Sequence, residues 1–65
     1  MNIQTRYEHI INQPIDNINQ EEVLELYYDI MDELYELSND TSNWSIMKQL
    51  VYKDYLRQLY SYLNN

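Results

Sequence analysis

"NQEEVLELYYDIMDELYELSND", residues 19–40, decides the fold. Val23, Tyr27, Ile30, Leu34 and Leu37 stand 4, 3, 4 and 3 residues apart, the spacing of one helical face. Leu24 and Met31 widen that stripe. Asn19 is a favoured N-cap, and Glu22 stands three residues later, as a capping box requires. Gln20, Glu21 and Glu22 fill the first turn, where negative charge suits the helix dipole. "SNDTSN", residues 38–43, ends the helix with six residues that prefer caps and turns.

Towards the N-terminus, Ile3, Tyr7, Ile10 and Ile11 share one face and predict a short helix from about Ile3 to Ile11. Thr5 and Glu8 also have capping-box spacing, which would start that helix at Thr5 instead. "NQPIDNIN" then interrupts. Pro14 disfavours helical geometry at Gln13, and the Asn and Asp residues favour turns. Ile15 and Ile18 are expected to pack down from this loop as apolar anchors.

Towards the C-terminus, a third helix is expected from Ser42 or Asn43 to about Leu63. Projected at about 100° per residue, its apolar residues form two groups. Trp44, Met47, Leu50 and Val51 centre on one direction; Tyr52, Tyr55, Leu56, Leu59 and Leu63 centre more than about 90° away. Either the helix bends, or its halves pack against different things, one against the first helix and one against a second protomer. Neither long helix sustains enough heptads for a coiled coil. Short loops make neighbouring helices antiparallel. The expected fold is all-α: a small three-helix assembly over residues 1–65 as one domain, with two long antiparallel helices and a short N-terminal one.

At 65 residues without cysteine, such a chain buries only about 60% of its unfolded surface and has no disulfide to reinforce it. A hydrophobic content of 45% argues against disorder. "MNIQTRYEHI" has no basic region followed by an apolar run, and no stretch approaches the roughly 20 apolar residues of a bilayer span. A soluble, cytoplasmic protein without membrane contact is expected. Asn, Ile and Tyr supply 23 of the residues while Ala and Gly are absent, as AT-rich coding would produce. That drift should also enrich lysine, yet only Lys48 and Lys53 occur, so the acidity runs against it.

Little here suits chemistry. Nucleophilic catalysis needs an activated side chain beside a base, and the lone His9 sits next to Ile10 with no cysteine in the chain. Glycine-dependent phosphate loops and the calcium loop need a glycine the sequence lacks. No Glu-x-x-His pair offers a bundle metal site. No enzyme, cofactor or metal is expected. Of the tyrosines, Tyr7, Tyr27, Tyr52 and Tyr55 fall within apolar stripes and suit the core. Tyr28, Tyr35, Tyr60 and Tyr62 sit at the margins.

Charge is the distinctive property. The net charge is −7, with four Lys and Arg against 11 Asp and Glu. Residues 1–19 sum to −1, residues 20–42 to −8 and residues 43–65 to +2. On the second helix Glu21, Glu22, Glu25, Asp29, Asp32, Glu33 and Glu36 fall within roughly 120°, opposite the apolar stripe. Four like-charged i, i+4 pairs along it (Glu21–Glu25, Glu25–Asp29, Asp29–Glu33 and Asp32–Glu36) repel at a summed cost of about 1–2 kcal/mol. The ridge carries one charge per ~3 Å of helix, close to the ~3.4 Å of a nucleic-acid strand.

This charge pattern resembles that of small acidic proteins, often phage-encoded, that mimic nucleic acid to block DNA- or RNA-binding proteins. The resemblance covers the second helix and carries no motif. It implies an inhibitor that occupies a basic protein surface and does not itself bind nucleic acid. The seven carboxylates would make the contact, with Tyr28 and Tyr35 at the ridge border as anchors. The alternative is a homodimeric helical accessory or regulatory protein whose ridge only solubilises it. In that case the surplus apolar face of the third helix forms the dimer, and Lys53 and Arg57 meet the acids of the second helix within or between chains.

Overall fold

A computed structural model describes residues 2–63. Three helices form, α1 (Ile3–Ile11), α2 (Gln20–Leu37) and α3 (Asn43–Leu63), with a single 3-10 turn at Ile15–Asn17. They make a rod of 39 × 19 × 17 Å. The all-α, three-helix architecture matches the sequence pattern. Among the described residues, no helix is long and apolar enough to cross a membrane.

Side-chain caps set the boundaries. The α1 start is held by Asn2, whose Oδ1 accepts the Thr5 N–H at 2.8 Å, so the helix begins at Ile3 and not at Thr5. Asn19 Oδ1 accepts from the N–H of Glu21 at 2.9 Å, satisfying an orphan donor of the first turn of α2. Ser42 caps α3 by accepting from the Ser45 N–H at 3.2 Å.

The α2–α3 turn works without glycine, and no described residue has a positive φ. Helices often end on a left-handed glycine that satisfies their last carbonyls. Here α3 supplies part of that function. The Leu37 carbonyl accepts from the Asp40 N–H at 3.0 Å, the buried Ser45 hydroxyl at 2.7 Å and the Gln49 side-chain amide at 3.0 Å. This junction anchors the top of an antiparallel hairpin.

The core consists of Tyr7 and Ile10 from α1, Val23, Leu26, Ile30 and Leu37 from α2, and Tyr52 and Leu59 from α3. Ile18, Tyr27, Leu34, Tyr55, Leu56 and Leu63 pack partly buried against it. α1 lies in one groove of the hairpin, with the Tyr7 ring stacked on Tyr55 at 3.9 Å between centroids and 15° between planes. Burial raises the pKa of both phenols above the ordinary 10.0, with the Asp54 carboxylate adding to the effect on Tyr7 and Glu8 to that on Tyr55.

Two core expectations need correction. Leu24 and Met31 do not widen the buried face of α2: they are 39% and 46% exposed, while Leu26 is fully buried. α1 docks on the Leu26 flank of the stripe and leaves the Leu24 flank open. Ile15 opens the 3-10 turn at the surface and is exposed, whereas Ile18 leaves the turn in extended conformation and packs inward.

α3 is one continuous helix, and its two apolar groups have different surroundings. Its Tyr52–Leu63 group packs on the core, and α1 meets it through Tyr55. Trp44, Met47, Leu50 and Val51 are exposed: they stand off the face that α3 turns to the core, Val51 beside Asn2, Ile3 and Gln4 at the start of α1.

Candidate functional site

The exposed side of α2 is the candidate site. Glu21, Glu22, Glu25, Asp29, Asp32 and Glu36 are exposed, and all belong to one unbroken 18-residue helix. Glu33 departs from the expectation that every ridge acid faces water, for it is half-buried. It lies at the ridge edge nearest the core. Asp29 departs too: its Oδ2 receives the Arg6 Nη1 hydrogen bond at 2.7 Å, an ion pair between α2 and α1. Among the described residues the ridge is therefore neutralised at one point, where Arg6 reaches over from α1.

The other cations lie elsewhere. Arg57 reaches Asp54 of its own helix at 3.6 Å, not the α2 acids. Lys48 sits over the Trp44 ring at 4.8 Å and the Tyr52 ring at 5.7 Å. Lys53 lines a groove with Met31, Leu34 and Leu56. Among the described residues it joins no ion pair.

Tyr28 and Tyr35, expected at the ridge border, are 58% and 75% exposed. Tyr28 is held edge-on by Tyr27, with centroids 6.2 Å apart and planes at 81°. Near the start of α2, Asn19, Glu21, Glu22, Leu24, Glu25 and Tyr28 line a shallow hollow of about 430 Å³. The nine residues singled out in the sequence therefore lie along one flank of one helix, with Glu33 and Asp29 partly spent on contacts inside the fold.

Sequence reasoning missed the partner of Asp29, which is 23 residues distant. It also missed a second apolar stripe. Leu24, Tyr28, Met31 and Tyr35 stand 4, 3 and 4 apart, all exposed, between the acids and the open side of the hairpin. Their spacing was visible, but assigning Leu24 and Met31 to the core hid it.

His9 is exposed, its ring nitrogen 2.8 Å from the Gln13 amide. No three described His, Asp or Glu side chains are grouped to hold a metal ion. Comparison with known proteins finds no matching family model, no significantly similar curated protein and no significantly similar solved structure.

Proposed function

We propose that this chain is a small acidic binding module that occupies a basic surface of a partner protein, in its more specific form an inhibitor that mimics nucleic acid. The observation that carries this reading is the ridge on α2: six exposed carboxylates on a single unbroken helix, only Asp29 of them paired with a cation among the described residues. A polar helix face meant only for solubility gains by mixing signs, since like charges at i, i+4 cost a few tenths of a kcal/mol per pair. The ridge forgoes that gain. From Glu21 to Glu36 it runs about 22 Å, with a charge pacing near that of a nucleic-acid strand. Tyr28 and Tyr35 beside it offer flat apolar contact area.

The test is capture of partners from the native host lysate, using the wild type and a variant carrying Glu21→Gln, Glu25→Gln, Asp32→Asn and Glu36→Gln. These four acids are exposed and make no ion pair among the described residues, so the fold should survive. Capture by the wild type should fail when salt rises from about 0.1 M to about 1 M, where the Debye length shrinks from about 10 Å to about 3 Å. Added nucleic acid should compete. Capture by the variant that equals the wild type would end this reading.

A further inference from the structure

The α2–α3 hairpin has two long grooves, and α1 fills one. The other is open. Its α2 wall carries the exposed Leu24, Tyr28, Met31 and Tyr35. On the α3 wall Ile46, Gln49, Lys53, Leu56 and Tyr60 recur at spacings of 3, 4, 3 and 4, the rhythm with which helices pack side by side. Tyr27, Leu34 and Leu56 floor a hollow of about 350 Å³ between Met31 and Lys53.

The two rims of this groove have opposite sign. Glu25 and Asp32 flank the apolar stripe of α2 on its outer side, while Lys53 stands along α3 with Arg57, which also reaches Asp54 of its own helix. A uniformly basic occupant would meet Lys53 and Arg57, and a uniformly acidic one would meet the α2 rim. The occupant that suits both carries one sign on each side of an apolar face. The groove itself has that pattern.

We propose that the open groove is closed by the same groove of a second copy, forming a bundle of four long helices. Charge also selects the symmetry. A twofold axis across the helices would lay α2 on α2 and press two acidic rims together. A twofold axis parallel to the helices lays α2 on α3 of the other copy, so acidic rim meets basic rim twice. That axis preserves height along the rod. Lys53, which stands level with Met31 across the groove, then comes beside Asp32 of the second copy.

This interface goes beyond the binding reading and shares one edge of the ridge, since Glu25 and Asp32 belong to both. It turns Tyr28 and Tyr35 towards the second copy and leaves Glu22, Asp29 and Glu36 facing outward on both.

Sedimentation equilibrium of the purified chain, from about 1 to about 500 µM, tests the proposal. The wild type should show a reversible species of twice 8.1 kDa. Met31→Glu should be monomeric with unchanged helical circular dichroism, and Tyr35→Ser serves as a second variant should Met31→Glu lose that signal. Asp32→Lys and Lys53→Glu should each weaken the dimer about tenfold, and combining them should restore it.

A wild type that stays monomeric overturns the proposal. So does a dimer that survives both groove variants yet dissociates on Met47→Glu, and so does a double variant with no restoration. The Glu22→Gln/Glu36→Gln chain, which changes only ridge acids outside the interface, should remain dimeric, so failure of partner binding and failure of dimerisation are told apart.

Discussion

The two grooves of the α2–α3 hairpin differ in what covers them. On the α1 side, Leu26 is fully buried, Tyr7 stacks on Tyr55, and Arg6 reaches over to Asp29. On the other side, Leu24, Met31 and Tyr35 have similar helical spacing but lie open to solvent. One helix thus carries two apolar stripes, and nine residues of α1 decide which becomes core. A hydrophobic stripe is only an offer of burial. The docking element settles it.

The largest test of that contrast compares neighbouring leucines. Leu26→Ala should cost about 2–5 kcal/mol, much of the ~3–10 kcal/mol expected of a chain this size. Leu24→Ala, measured in dilute solution by urea denaturation, should stay within about 0.5 kcal/mol. Equal costs would erase the distinction between the grooves. Ser45→Ala comes next, at about 1 kcal/mol. It removes a buried hydroxyl, but the Leu37 carbonyl keeps the Asp40 and Gln49 donors.

A double-mutant cycle on Arg6→Ala and Asp29→Ala should then give a coupling of about 0.2–1 kcal/mol that fades with salt, as for a partly exposed ion pair. Glu25→Gln, which relieves repulsion with both Glu21 and Asp29, should raise stability by a few tenths of a kcal/mol at low salt. A loss on that substitution would mean that Glu25 makes a favourable contact.

The last effect appears only at alkaline pH. Tyr7 and Tyr55 hold their protons above the ordinary pKa of 10.0, first through burial and then through neighbouring carboxylates. The unfolded chain ionises first, so stability is intact below about pH 10 and falls as pH rises through the folded values. An ultraviolet absorbance titration should show two tyrosines ionising late. Asp54→Asn should bring Tyr7 earlier, and Glu8→Gln should do the same for Tyr55.

Much of the fold was legible because its signals are local. Asn19, the 4-3 spacing from Val23 to Leu37, and the run from Ser38 to Asn43 each act within a turn or two of helix. What was not legible depends on distant partners. Leu26 and Leu24 flank the same stripe, and only the position of α1 separates them. The two apolar groups of α3 could be read from projection, but which is buried depends on the face that α3 turns to α2.

The ridge was legible as a charge pattern. Its neutralised point at Asp29 was not, because Arg6 lies across a loop whose path the sequence leaves open. The dimer alternative had Lys53 and Arg57 meet the α2 acids within or between chains; within the chain, Arg57 reaches Asp54, three residues before it on the same helix.

Trp44 is the single tryptophan, 63% exposed in the first turn of α3, with the Lys48 ammonium 4.8 Å from its ring. Its fluorescence therefore samples solvent and one neighbouring charge, while the buried aromatic signal belongs to Tyr7 and Tyr52. An optical melt followed at the indole wavelength would register fraying at the turn end of the rod. The same melt followed by tyrosine or far-ultraviolet dichroism would register loss of the packed interior. The chain has, in effect, two spectroscopic thermometers at separate places, and their agreement measures whether it melts as one body.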